Sequence, residues 1–161
     1  MHYQRGLWRA YATGEDPTRF ESLSMVLREP GQTAATVCVQ LSPEAEPMRS
    51  DQLTPERVAT QLPPFQIPRY WPETWKQRAR QNPGYEGNGY FVGFCDGQLA
   101  ELSLGLRETD PVNPVTRPVA RPPRVGPAGC SPLYTLPLTR EQLDDILGAG
   151  GEVNRHGEVY Y

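Results

Sequence analysis

Apolar residues recur at every second position in several short runs of the chain, which is the pattern of half-buried β-strands. In both 23–27 and 37–41 every odd-numbered residue is apolar, and the second run extends back to residue 33. Pro30-Gly31 lies between the two runs and favours a turn. The pattern therefore predicts two strands paired antiparallel through this turn, with a further strand over 7–12.

Asp96-Gly97 separates two apolar runs and predicts a hairpin over 89–106. Glycine accepts the positive φ angle that a two-residue type I′ turn needs. Counting outward from the turn predicts a core face made of Phe91, Gly93, Cys95, Ala100, Leu102 and Leu104. The opposite face then holds Tyr90, Val92, Phe94, Leu99, Glu101 and Ser103. Near the turn that second face is too apolar to face water, so another part of the protein is expected to cover it in part.

Capping residues predict three short helices. The segment 54–62 begins with Thr-Pro-Glu, which supplies an N-cap, a first-turn proline and an acid for the helix dipole. The segment 72–81 begins with Pro-Glu and ends before Asn-Pro-Gly. Thr139 and Gln142 have the spacing of a capping box for the third helix. The tail, 152–161, is expected to form a final hairpin or edge strand.

Residues 111–131 differ in composition from the rest of the chain, with six prolines, three arginines and no acid. Such a segment predicts a loop and neither a helix nor a central strand. A strand is expected after it, over 133–138. The elements together predict a single α+β domain over 1–161, with an antiparallel sheet of about five to seven strands, two or three short helices and long Pro-rich loops.

Charge and composition narrow the class of protein. The chain has 161 residues and a formal charge of −3. A general nucleic-acid binder would need a cationic surface, so the acidic balance argues against that class. No stretch approaches the roughly 20 apolar residues that cross a bilayer, so no transmembrane segment is expected. The first residues lack the apolar core of a signal peptide, which predicts a cytoplasmic protein, or a periplasmic one whose leader has been removed. Fifteen of the 16 cations are arginines, a bias typical of GC-rich coding sequences in bacteria and their phages.

Three cysteines allow at most one internal disulfide. There are two alternatives. Either Cys95 and Cys130 form a bridge in an oxidising compartment, or all three cysteines, Cys38 included, are buried thiols. The two histidines stand at opposite ends of the chain, and no ligand spacing typical of zinc occurs. The glycine-rich run 148–151 follows a helix instead of opening one, which is the wrong order for a phosphate-binding loop. No metal and no cofactor are therefore expected.

No catalytic residue is assigned, because no nucleophile, base or acid occurs in a recognisable motif. A cysteine–histidine pair would have to combine Cys95 or Cys130 with His156. Glu101 projects from an otherwise apolar set in the hairpin, and an acid–base role for it is the other catalytic alternative.

Two segments favour binding. Residues 111–131, if extended, form a cationic segment that could recognise an acidic groove, and the alternative is a long crossing loop. The other segment is rich in aromatic residues. Between residues 65 and 75 five large apolar side chains and an arginine are braced by prolines. Trp, Tyr and Arg dominate binding hot spots, because each buries much area and keeps a polar contact. The alternative is that this segment covers the domain's own core. The candidate partner-binding residues are Phe65, Arg69, Tyr70, Trp71 and Trp75.

The sequence thus favours a non-enzymatic protein-binding domain. The bacterial or phage origin suggests an inhibitor or immunity protein that blocks a partner's active site. Since the chain is acidic, the expected partner is a toxin or enzyme with a basic surface, steered by an acidic rim. There are two alternatives to a protein-binding domain. One is a structural subunit of a phage or secretion assembly, and the other is a small enzyme using Glu101 or a Cys–His pair.

Overall fold

A computed structural model of the chain describes residues 7–12, 16–29, 31–105 and 121–161. Within these ranges the chain forms twelve strands, all paired antiparallel in two sheets, and three α-helices. The predicted α+β class, with a largely antiparallel sheet and short helices, is confirmed.

The strands are β1 (Trp8–Ala12), β2 (Arg19–Val26), β3 (Val37–Gln40), β4 (Met48–Arg49), β5 (Gly84–Gly87), β6 (Tyr90–Cys95), β7 (Gln98–Gly105), β8 (Arg124–Pro127), β9 (Tyr134–Thr135), β10 (Leu138–Thr139), β11 (Glu152–Val153) and β12 (Val159–Tyr160). The helices are α1 (Pro55–Ala59), α2 (Glu73–Gln81) and α3 (Arg140–Leu147), and a 3₁₀ turn spans Ser50–Gln52.

The larger sheet has the order β11-β12-β1-β2-β7-β6-β5, with β10 also paired to β2. It contains the strands predicted over 7–12 and 23–27. The predicted pairing of 23–27 with 33–41 is wrong, because β3 belongs to the smaller sheet. Before β3 the chain is held against β1, where the indole N–H of Trp8 donates to the Ala35 carbonyl at 2.9 Å. Pro30, in the predicted turn, lies outside the described residues.

The smaller sheet has the order β4-β3-β8-β9, so β8 is an interior strand. The loop predicted for 111–131 is therefore wrong over Arg124–Pro127, while 111–120 lie outside the described residues. Proline does not prevent this strand because Pro127 occupies its last position. Gly126 lets the segment around Pro132 pack closely against β8, since a Cβ at Gly126 would stand 2.5 Å from the Pro132 carbonyl oxygen.

The predicted hairpin forms as β6 and β7, and Asp96 and Gly97 both adopt positive φ angles (52° and 77°). Its predicted register holds only next to the turn. Phe94 pairs with Leu99, but Gly93 pairs with Glu101, so Ala100 is an extra residue that forms a bulge. A shift of one residue exchanges the faces of a strand.

The assignment of the two faces of β6 was therefore wrong. Tyr90, Val92 and Phe94 point into the core and are at most 2% exposed. Phe91 and Gly93 lie on the outer face beside Glu101, and Cys95 at the turn is exposed.

The core lies between the two sheets, and both contribute to it. A buried tyrosine joins them: the Tyr90 hydroxyl donates to the Arg124 carbonyl at 2.6 Å and accepts from the Arg124 N–H at 3.1 Å. Burial raises the pKa of Tyr90, so its hydroxyl stays protonated and able to donate. The helices add apolar residues to this core, which has the buried side chains Trp8, Leu23, Val37, Val39, Val58, Leu102, Leu104, Val125, Leu143 and Ile146.

The three predicted helices form, α1 only over Pro55–Ala59, and the caps predicted at Thr54 and Thr139 are present. Thr54 accepts from the Arg57 N–H at 3.2 Å before α1, and the Thr139–Gln142 capping box begins α3. The tail hairpin forms from β11 and β12, and β12 also pairs with β1. The segment 133–138 forms two short strands, β9 and β10, instead of one.

The disulfide joins Cys38 on β3 to Cys130, which follows β8, with 5.2 Å between the two Cα atoms. Both sequence-based alternatives are therefore wrong: Cys130 is not bridged to Cys95, and the three cysteines are not all buried thiols. Spacing along the chain gave no indication of this pairing, because the β3–β8 ladder brings together residues 92 positions apart.

Candidate functional site

The segment after α1 runs along the outer edge of β5, the last strand of the larger sheet. The Glu86 N–H donates to the Pro63 carbonyl at 3.0 Å, and the Phe65 N–H donates to the Gly84 carbonyl at 2.8 Å. Gly87 makes this approach possible, since a Cβ there would stand 3.1 Å from Pro63. The segment therefore covers an edge that would otherwise offer free backbone groups, and it fixes the position of Phe65.

The outer face of β5 and β6 is shaped to hold one aromatic ring. Gly84 and Gly93 flank the ring of Phe91, and a Cβ at either glycine would stand 3.1 Å from a ring atom. Phe65 packs on Phe91 edge to face, with 5.5 Å between the ring centroids. Phe91 is consequently 9% exposed, although it lies on the side of the sheet away from the core.

Two tryptophans extend this packing away from the sheet. Trp71 lies 5.6 Å from Phe65 between ring centroids, and Trp75 lies 5.9 Å from Trp71 in an edge-to-face arrangement. Phe91, Phe65, Trp71 and Trp75 therefore form a continuous aromatic row. Its inner end is buried, and at its outer end Trp75 is 54% exposed.

Helix α2 carries the outer end of the aromatic row. Pro72 directly precedes the helix, and its carbonyl accepts from the Trp75 N–H at 3.0 Å. Glu73 places an acid in the first turn, where it meets the positive end of the helix dipole. No residue of α2 is buried, so the helix lies on the outside of the domain. The Phe94 N–H donates to the Pro83 carbonyl at 3.0 Å and fixes the chain where it returns to the sheet.

The five sequence-predicted binding residues fall into two groups. Phe65, Trp71 and Trp75 are in direct ring contact within the aromatic row. Arg69 and Tyr70 occupy the turn before α2 and are exposed, Tyr70 by 53%. The aromatic row lies outside the main hydrophobic cluster, and its inner part covers Phe91 on the outer face of the larger sheet.

The charge around the aromatic row differs from that expected. Residues 69–81 contain the cations Arg69, Lys76, Arg78 and Arg80 and a single acid, Glu73. This segment therefore does not supply the acidic rim predicted from the whole-chain charge, although Glu101 lies beside Phe91 at the inner end of the aromatic row. The reason is that net charge carries no information about where the charges lie, and the excess of acids belongs to the rest of the chain.

The candidate catalytic residues do not come together as a site in the part of the chain that the structure describes. Cys130 is bonded to Cys38, which removes the Cys130–His156 pair. His156 lies in the turn of the tail hairpin, where its Nε2 accepts from Arg155 at 3.2 Å. Cys95 is exposed at the β6–β7 turn, and Glu101 stands opposite Gly93 on the outer face of the sheet.

A polar depression lies beside α3, distant in sequence from the aromatic row. It is lined by Tyr134, Thr139, Glu141, Gln142 and Asp145. Tyr134 donates to Asp145, and this hydrogen bond raises the pKa of the Tyr134 phenol. Among the described residues no group of three His, Cys, Asp or Glu side chains could hold a metal ion. No described helix is both long and apolar enough to traverse a bilayer.

Sequence reasoning missed two features that position the aromatic row. One is the hairpin of β5 and β6, whose turn residues Asn88 and Gly89 have φ angles of 53° and 82°. An Asn-Gly pair is a hairpin signal and was available in the sequence. The other is Phe91, whose outward orientation depends on the bulge at Ala100 and had no comparable signal.

Comparison with protein-family models, with curated proteins and with solved structures gave no match to this chain.

Proposed function

We propose that the chain is a non-enzymatic protein-binding domain and that the outer end of the aromatic row is its binding surface. The observation that carries this proposal is the position of Trp75. It is 54% exposed on a helix that buries no residue, yet its ring is held against Trp71. A large aromatic side chain that is held in place but left open to solvent is typical of a binding anchor.

The support beneath Trp75 favours binding for an energetic reason. An immobilised side chain costs about 0.5–1.5 kcal/mol of conformational freedom when a partner docks. The ring contacts to Trp71 and Phe65 limit that freedom before binding, and Pro72 fixes the start of the helix. A partner that covers Trp75 thus gains apolar burial at a reduced entropic cost.

The specific form of the proposal is an inhibitor or immunity protein that occludes a partner's active site. A projecting tryptophan on an external helix suits insertion into a cleft of the partner. The Cys38–Cys130 disulfide supports the periplasmic alternative over the cytoplasmic one, since such bridges persist in oxidising compartments. If the chain is instead a structural subunit of a phage or secretion assembly, the same surface would bind a second copy of this chain.

Replacing Trp75 by alanine is expected to abolish capture of one stoichiometric partner while leaving the fold intact. The tagged protein would be used to capture proteins from an extract of its source organism, and the captured protein purified for calorimetric titration. Since anchors of this kind contribute about 2 kcal/mol or more, we expect the variant to bind at least about 30-fold more weakly.

Val153→Ala is the matched control for this capture. Val153 is 60% exposed on β11, at the opposite edge of the larger sheet. The Val153→Ala substitution should leave capture of the partner unchanged. Equal capture by wild type and Trp75→Ala would contradict the proposal, and capture of the chain's own copies alone would assign the surface to self-assembly.

A further inference from the structure

The segment that carries Trp75 has a charge opposite in sign to that of the whole chain. The segment 69–81 holds four cations and one acid, whereas the chain has a formal charge of −3. The acid, Glu73, is engaged by Arg80 at 3.3 Å, and both side chains are more than half exposed. Within the described residues no ion pair reaches Arg69, Lys76 or Arg78. The excess of cations therefore lies in α2 and the turn before it, near Trp75, whereas Glu101 lies beside Phe91 at the inner end of the aromatic row.

Arg78 is the cation best placed to act together with Trp75. It follows Trp75 by three positions on α2, so the two side chains are neighbours on one face of the helix. Arg78 is exposed, and its guanidinium presents a planar set of donors that matches a carboxylate. A partner that covers Trp75 would also come within reach of Arg78.

We infer that the partner is a protein with an acidic surface, in which carboxylates lie beside an apolar pocket. The pocket receives Trp75, and the carboxylates bond to Arg78. This inference rests on the proposed function and deepens it by stating the partner's chemistry. It also reverses the charge that the sequence alone assigned to the partner.

A single-stranded nucleic acid would fit this surface less well than an acidic protein would. Such ligands stack their bases on a series of open ring faces along a cationic groove. In the aromatic row Phe65–Phe91 and Trp71–Trp75 meet edge to face, at 89° and 81°, so these rings are not a set of parallel platforms. Trp75 alone among the four is more than half exposed.

The test uses a library of random peptides displayed on phage, selected in parallel on immobilised wild type and on Trp75→Ala. We expect the peptides enriched only on wild type to combine apolar residues with an excess of Asp and Glu. One such peptide, synthesised, should bind Arg78→Glu about tenfold more weakly than wild type, with the affinity of wild type falling as salt is added. Arg155→Glu, an exposed reversal in the tail hairpin, is the matched control and should change binding by less than about twofold.

The outcomes separate this inference from the proposed function. Trp75-dependent peptides that are neutral or basic, or that bind Arg78→Glu as tightly as wild type, would overturn the acidic partner and leave the binding surface standing. Absence of any Trp75-dependent peptide would overturn both. A labelled single-stranded oligonucleotide serves as the third probe. If it binds wild type more tightly than the selected peptides and loses binding with Trp75→Ala, the surface belongs to nucleic acid and the inference is wrong.

Discussion

Replacing Cys38 and Cys130 together by alanine is expected to lower the free energy of unfolding by about 4 kcal/mol, at the upper end of the usual range of about 2–4 kcal/mol for a disulfide. The bridge closes a loop between residues 92 positions apart, and the entropy that a cross-link removes from the unfolded chain grows with loop length. For a chain of this size the loss corresponds to a fall in Tm of roughly 8–16 °C. Urea denaturation monitored by tryptophan fluorescence measures it.

The third cysteine gives a matched control for this experiment. Cys95 is exposed at the β6–β7 turn, so Cys95→Ala should unfold at the wild-type urea concentration. Reductant should lower the stability of wild type and of Cys95→Ala to that of the double variant, and should leave the double variant unchanged. Three alkylatable thiols after unfolding in urea without reductant, together with no effect of reductant on stability, would show that the bridge does not form.

Gly105→Ala is expected to cost about 2–5 kcal/mol of stability, because two effects add at this position. Gly105 has a φ angle of +96°, and left-handed backbone costs an L-residue about 1–2 kcal/mol. In addition, a Cβ there would stand 2.1 Å from the Glu21 carbonyl oxygen on β2. That oxygen belongs to the backbone of the neighbouring strand, so relief requires β2 and β7 to separate locally.

Gly97→Ala isolates the first of these effects. Gly97 also has a positive φ angle, +77°, but a Cβ there would meet no atom within 4 Å. It should therefore cost only about 1–2 kcal/mol. Chemical denaturation of the two variants beside wild type measures the difference. Equal losses of stability would mean that the clash with Glu21 is not what makes Gly105 necessary.

The sequence predicted those elements whose signals are local. The caps at Thr54 and Thr139 and the Asp96-Gly97 turn identify their elements through neighbouring residues, and all three form. The faces of β6 were wrong because one bulge residue, Ala100, exchanges them, and nothing in the alternation of apolar residues reveals a bulge. The Cys38–Cys130 pair was missed because it depends on how two distant segments pair in the smaller sheet.

The candidate site was predictable in its residues and not in its arrangement. The density of aromatic side chains over 65–75 identified the segment, and Phe65, Trp71 and Trp75 do contact one another. Phe91, which supports them, came from a different element and was assigned to the core. The cationic character of α2 and the turn before it was not predicted, because the charge was taken as an average over the whole chain.

The binding surface can be located by photo-crosslinking inside the source cells with Trp75 left in place. A photoreactive phenylalanine analogue would replace Tyr70, in the turn before α2, in one variant and Val153 in another, since both positions are more than half exposed. We expect irradiation to link position 70 to one other protein and to link position 153 to none in comparable yield. The same products from both positions, or none from position 70, would contradict the assignment of the aromatic row as the binding surface.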